Sequence, residues 1–184
     1  MNEQTSGREL LTVVELDQDS CSLTYGEGAC TAALGVTSDR KCFNTRATCQ
    51  DPEHYDRTIK TIRFCKIGQV LPNVPCFPLL SKTSIAPTEI NPGGSGRSSG
   101  PLGKRARVTL DFIDAPSSDI GIDPYVTERE YDPLGRGTFW SKWLSRNPFY
   151  NNRAIRVLEG YVGQGISMPC WRGSGAERRV NRGQ

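Results

Sequence analysis

Four of the seven cysteines lie close together, at Cys21, Cys30, Cys42 and Cys49, in the spacing C-x8-C-x11-C-x6-C. The gaps are filled with small and turn-forming residues, Gly26, Gly28, Gly35, Ser38, Asp39 and Asn44 among them, and carry little apolar periodicity. Such a stretch cannot order itself by burying a helical stripe or a strand face. Four thiolates converging on one metal centre would supply the missing ordering energy. Structural zinc sites usually use paired C-x2-4-C knuckles, and no gap here is that short. Iron–sulfur clusters also use four-cysteine ligation and accept varied spacings. A cubane cluster is wider than a single ion, so its ligands can come from loops further apart. The spacing therefore points to an iron–sulfur centre first and to zinc second. Two disulfides or four unrelated thiols are the remaining alternatives.

The other residues able to do chemistry point elsewhere. Cys65 and Cys76 sit in more apolar surroundings, where a free cysteine behaves as a small hydrophobe; a Cys65–Cys76 bridge is the minor alternative. Cys170 falls in an aperiodic, basic stretch and reads as a bystander. His54, the single histidine, lies in PEHYD between acids. A Cys–His nucleophile needs the two side by side, and one histidine beside a metal knot is a weak basis for it. Asp51, Glu53 and Asp56 read as a solvated acidic turn. No phosphate loop, GxSxG or HExxH is present. Lys104, Arg105 and Arg107 follow a glycine-rich run without clustered aromatics, which favours a solvated loop over a nucleic-acid groove. No enzyme is expected.

These residues need a scaffold, and composition limits which kind. With 184 residues the chain suits one domain or one domain plus an appendage. An apolar fraction of 36%, with Gly 19 and Pro 12, favours strands and long loops over a helical bundle. The net charge of +3, from 23 basic and 20 acidic residues, makes no case for nucleic acid. No run of apolar residues is long enough to span a membrane. The N-terminus has acids and no apolar h-region, so no secretory signal is expected. A reducing cytoplasm follows, where clustered cysteines are more often metal ligands than disulfides.

The pattern predicts a mainly β (α+β) fold. Strands are expected over 10–16, 57–67, 106–114 and 154–162. The clearest is 106–114, where Ala106, Val108, Leu110 and Phe112 alternate with Arg107, Thr109 and Asp111. In 57–67, Ile62 and Phe64 should face one way and Arg63 the other. Three prolines within 68–80 argue against a regular central strand there and for an extended segment over apolar surface. One short helix is expected over 138–146, capped by Thr138, with Phe139 over Trp143 and Trp140 over Leu144. The Trp140/Trp143 face should cover the sheet. The expected organisation is a disordered 1–9, a cysteine-rich subdomain 10–56, a β-rich domain 57–164 with a flexible Gly/Ser loop at 91–103, and an irregular basic tail 165–184.

The segments ELDQDSCSLTYGEGAC, KCFNTRATCQDPEHYD and YDPLGRGTFWSKWLSRNPFY resemble the tail-tip or baseplate hub proteins of long-tailed, siphovirus-like bacteriophages. The resemblance covers roughly residues 10–164. The C-x8-C and C-x6-C spacings are also similar to those in the iron–sulfur domain of the minor tail proteins L of lambda-like phages, although there that domain lies late in the chain. The resemblance implies a 4Fe–4S cluster with Cys21, Cys30, Cys42 and Cys49 as ligands. It further implies a structural virion protein, a homotrimer about the tail axis. This would join the tail tube to distal host-contacting proteins. The partners it implies are the distal tail or tube protein, the remaining hub domains and a central fibre or spike, with no membrane and no specific nucleic acid. Assembly would take place in the host bacterial cytoplasm, with the product in the virion tail. Hub proteins of this kind continue well beyond the position of Gly163, which implies a truncated or split hub. A small soluble iron–sulfur redox or sensing protein is the competing expectation.

Overall fold

The computed structural model of the chain describes residues 10–69, 74–87 and 106–161, and the backbone of 165–174. Its elements are β1 (Leu10–Cys21), β2 (Arg57–Lys66), β3 (Phe77–Ala86), β4 (Arg107–Phe112), α1 (Phe139–Arg146), β5 (Ala154–Tyr161) and β6 (Gly165–Ser174). The expected 1–9 and the Gly/Ser loop 91–103, with Lys104 and Arg105, lie outside the described residues. So does the tail beyond 174.

The six strands form one mixed sheet in the order β4-β3-β2-β1-β5-β6. Only β2 and β3 run parallel. The mainly β class expected from composition is the observed one. β1 is a central strand because its run LLTVVEL can be buried on both faces; Leu11, Val13, Val14 and Leu16 are all buried. It pairs with β2 from Val13↔Cys65 to Cys21↔Arg57, and with β5 from Leu10↔Tyr161 to Leu16↔Ile155. β1 thus continues past its β5 partner, and it is this extension, held by β2 alone, that delivers Cys21. The strand assigned by sequence to the cysteine segment is the middle of the sheet.

Two expectations are corrected. The stretch 68–80 was expected to exclude a regular strand, yet β3 begins at Phe77 inside it and lies between β2 and β4. Its Pro78 is tolerated because the register shifts between Phe64↔Phe77 and Lys66↔Leu80. A proline without an N–H fits the start of a strand or such an irregularity. The tail 165–184 was expected to be irregular, yet Gly165–Ser174 pairs with β5 as β6. Backbone pairing, rather than apolar alternation, defines that strand.

One face of the sheet carries the core. Val14, Leu16, Ile62, Phe64, Leu79, Leu80, Ile155 and Val157 meet Phe139, Trp140 and Trp143 of α1. Phe64 is at the centre, stacked on Trp140 at 5.2 Å and edge-on to Phe112 at 5.1 Å and Phe139 at 5.7 Å. Helix α1 covers the sheet as expected, with ring contacts running Phe139–Trp140 and Trp140–Trp143. Its first turn is fixed from two sides: Thr138 N donates to Ser141 Oγ at 3.1 Å, and Trp140 N donates to Asp114 Oδ1 at 3.0 Å. A carboxylate there also complements the helix dipole. On the opposite face Arg63 pairs with Glu15 at 2.8 Å, and Arg156 bridges Glu15 and Asp17 at 2.8 and 2.7 Å. Partly exposed pairs of this kind contribute about 0–1 kcal/mol each. Among the described residues no helix is long and apolar enough to cross a membrane.

Candidate metal centre

Between β1 and β2 the chain makes loops and two short 3-10 turns, Arg46–Thr48 and Pro52–His54. Their order comes from polar contacts, as expected of a segment without periodicity. Cys21 N donates to Asn44 O at 2.8 Å, and Ser20 Oγ reaches the same carbonyl at 3.2 Å. Asn44 itself has φ 52, a left-handed conformation that asparagine tolerates. Gly26 turns the chain toward Cys30 with φ +71; a side chain there would meet Ala32 O at 3.0 Å. Cys49 caps the first 3-10 turn, its N–H donating to Arg46 O.

The sheet domain grips this segment from outside. Arg129 donates to Lys41 O at 2.6 Å and to Cys42 O at 2.9 Å. The same guanidinium pairs with Asp123 at 2.9 Å, and the two side chains are 3% and 0% exposed. The Arg129 and Arg146 guanidinium groups both lie over the Phe43 ring, at 4.2 and 4.0 Å from its centre. Thr45 Oγ1 donates to Arg146 O, the end of α1, at 2.8 Å. A small apolar cluster of Tyr25, Ala32, Cys42 and Tyr125, with Cys30 packed against it, is the only hydrophobic cluster described in the segment. Tyr25 N donates to Tyr125 Oη at 2.7 Å.

The four predicted cysteines are free thiols, Cys42 buried and the other three half-buried, and Cys42 and Cys49 each feel the charge of others of the set. Burial pushes the Cys42 thiol up, and negative charge on Cys49, Cys30 and Cys21 would push it further. Cys49 is raised first by burial and then by Cys21, Cys30 and Asp51. Two backbone amides act in the other direction. The N–H of Asn44 faces the Cys42 sulfur, and the N–H of Asp51 faces the Cys49 sulfur, each lowering the thiol. In both cases the donor lies two residues after the cysteine. Negative charge on several of these sulfurs at once would be mutually repulsive, and an amide offsets it at Cys42 and at Cys49. A cationic centre among the sulfurs would remove the repulsion and favour the thiolate forms.

Four cysteines in one irregular segment are the donor type that an iron–sulfur cluster would take. The donor set is four cysteines, the amides aim at sulfur, and the hydroxyl of Tyr55 is buried without a hydrogen-bond partner while coupled electrostatically to Cys21 and Cys49. Such a cluster would be held by Cys21, Cys30, Cys42 and Cys49. Among the described residues no group of three or more His, Cys, Asp or Glu, the cysteines included, is arranged so that it could hold a metal ion.

The acidic turn differs from the expected solvated one. Asp51 is buried and accepts Thr31 N at 2.7 Å, Thr31 Oγ1 at 2.9 Å and His54 Nδ1 at 2.9 Å. The Thr31 amide and His54 hold its carboxyl down to about 2. His54 is therefore a partner of Asp51, which fastens the Cys30 loop to the Cys49 loop. Asp56 accepts a hydrogen bond from Ser22; Glu53 is exposed. Cys65 is buried, its Sγ donating to Gln69 O at 3.6 Å, and Cys76 is half-buried; burial, then Cys65, pushes Cys76 up to about 12. Arg107 starts β4 at the sheet edge, and Cys170 lies on β6.

Sequence reasoning missed Arg129, Asp123, Asn44, Tyr55 and Tyr125. No local signal marks Arg129 in VTERE, since its contacts lie far back along the chain. Asn44 could have been found, because an asparagine two residues after a cysteine suits a positive-φ turn that aims its amide at sulfur. No protein-family model matches the chain, and neither a curated protein nor a solved structure matches it.

Proposed function

We propose that the chain is a structural subunit of a phage tail tip or baseplate hub whose fold is stapled by a 4Fe–4S cluster on Cys21, Cys30, Cys42 and Cys49. One observation supports the metal centre: Cys21, Cys30, Cys42 and Cys49 are free thiols in one irregular segment, and Cys42 and Cys49 feel the charge of others of the set. The virion role rests on the resemblance of the segments around Cys21–Cys49 and Tyr131–Tyr150 to hub proteins. The staple role follows from the packing. The segment has one small apolar cluster of its own and is otherwise pinned by hydrogen bonds to the sheet domain. Structural metal sites contribute on the order of 10 kcal/mol, against about 5–15 kcal/mol for the net stability of a domain.

When bound, the cluster crosslinks the loops, and this chain's residues do the rest. Arg129 fixes the Cys42 backbone, Asn44 and Asp51 direct amides at sulfur, and Asp51 ties the Cys30 loop to the Cys49 loop. The partners under this reading are the tail tube protein, further hub domains and a central fibre or spike, around a three-fold axis. Replacing Cys42→Ser in the phage that encodes the chain tests the role. The expected result is filled heads without functional tails and no infectious particles by electron microscopy and plaque assay. Intact, infectious, tailed particles lacking the cluster would overturn it and leave the soluble redox protein as the better account.

A further inference from the structure

Strand β4 is one edge of the sheet, and among the described residues no strand pairs with its outer side. Such an edge presents a row of unpaired N–H and C=O groups, which proteins usually blunt with proline, lysine or a bulge. The opposite edge is blunted: β6 carries Pro169, and its register with β5 shifts twice. β4 is not. Its run RVTLDF has no proline, glycine or lysine, and its register with β3 is unbroken from Lys82↔Asp111 to Ala86↔Arg107. Successive residues of a strand turn their backbone groups to opposite sides. Ile113 N donates inward, to Leu79 O at 2.8 Å. The backbone groups of Asp111, Thr109 and Arg107 therefore face β3, and those of Val108 and Leu110 face the free edge.

The side chains of β4 complement themselves. Arg107 and Thr109 are exposed and Asp111 is half-buried, all on one face. Neither Arg107 nor Asp111 makes an ion pair or side-chain hydrogen bond with a described residue. On the other face Val108 and Leu110 continue the core, and Ile85, opposite Val108, is 43% exposed.

We infer that β4 pairs antiparallel with β4 of a second copy of this chain, about a two-fold axis through Thr109, joining the two sheets edge to edge. In that register Val108 and the partner's Leu110 exchange both backbone hydrogen bonds. Arg107 lies opposite the partner's Asp111, and Asp111 opposite the partner's Arg107. Thr109 faces its own copy. No other antiparallel register of this strand on itself sets Arg107 against Asp111. Opposite-charge and Thr–Thr pairs directly across strands are favourable. The exposed Ile85 gains an apolar row on the same face, through Val108 to the partner's Leu110. This does not rest on the cluster or on the hub reading; a three-fold ring accommodates such a pair only between two rings set face to face.

Sedimentation of the full chain over a concentration series, with hydrogen exchange, tests the pairing. The wild-type chain should pass from monomer to dimer, and the Val108 and Leu110 amides should become protected as the dimer forms. Arg107→Asp and Asp111→Arg each set like charges opposite one another across the axis, so each variant alone should dissociate about tenfold more readily. Mixed in equal amounts, the two variants make every pair opposite in charge again, and dimerisation should return to the wild-type level. Their urea midpoints should match wild type, because neither side chain has a partner within the described chain. A chain that stays monomeric throughout, its edge left to another protein or to its own remaining segments, overturns the inference. So does a dimer that leaves the Val108 and Leu110 amides exposed, or one that the single variants do not weaken and their mixture does not restore.

Discussion

Replacing Arg129→Ala tests how the sheet domain holds the cysteine segment. The guanidinium is 3% exposed and its partner Asp123 is 0% exposed. Burial opposes the charge of Arg129, and Asp123 more than offsets it, holding the group above its ordinary range. Removing one partner of a buried pair costs about 3–5 kcal/mol, because the other charge is left without compensation. The Lys41 and Cys42 carbonyls also lose their charged donor, and hydrogen bonds to charged groups contribute about 1.5–3 kcal/mol. These losses share one side chain and do not add. Asp123 keeps one donor, Tyr125 N at 3.0 Å, which limits the damage. A net cost of about 4 kcal/mol is expected, a large part of the roughly 5–15 kcal/mol by which a domain is stable. Urea unfolding followed by tryptophan fluorescence measures it, since Trp140 and Trp143 are buried in the core. The double variant Arg129→Ala/Asp123→Ala should cost less than the two single variants combined, because it strands no charge. A loss below about 1 kcal/mol for Arg129→Ala, or strict additivity in the double variant, would refute the clamp.

Phe64→Ala should lose about 3–5 kcal/mol in the same assay, as expected for a fully buried aromatic; a loss under about 1 kcal/mol would contradict its central place. Cys65→Ser and Cys76→Ser should each retain full iron and sulfide at a stability cost of about 1–2 kcal/mol, because the pair is separate from the tetrad; iron loss in either would show that the ligand set is wrong. With its thiol pushed up to about 12, Cys76 should be about one part in ten thousand thiolate at pH 8, against about a quarter for an ordinary cysteine. Its alkylation by iodoacetamide, mapped by mass spectrometry, should be correspondingly slow and rise with pH. Rapid labelling at pH 8 in the folded chain would contradict its burial beside Cys65.

The sheet was legible where side chains announce it. Val14 and Leu16, Ile62 and Phe64, and Val108, Leu110 and Phe112 all lie on or against the core face. The period-2 pattern records burial on one face, which is what places a strand. β3 and β6 were not legible because pairing, not pattern, makes them strands. The prolines near Phe77 argue against a ladder locally, and a register shift accommodates Pro78. At the site, the cysteine spacing singled out the segment, since small and turn-forming residues between cysteines leave few other uses for them. The grip on those ligands was not legible. Arg129, Asp123 and Tyr125 lie in a turn that resembles any polar loop, and only the folded chain sets them against Cys42 and Tyr25. Asp51 shows the same limit: an acidic turn reads as solvated until Thr31 and His54 are seen around its carboxylate.

The account stands or falls on what the four thiols bind. The decisive measurement is anaerobic purification of the full chain with iron, acid-labile sulfide and zinc analysis and an absorption spectrum. The account predicts iron and sulfide near four each per chain, the content of one cubane cluster, with broad visible absorption that bleaches on reduction and is lost in Cys42→Ser. Stoichiometric zinc without sulfide, or four unmetallated thiols after reconstitution with iron and sulfide, would contradict it.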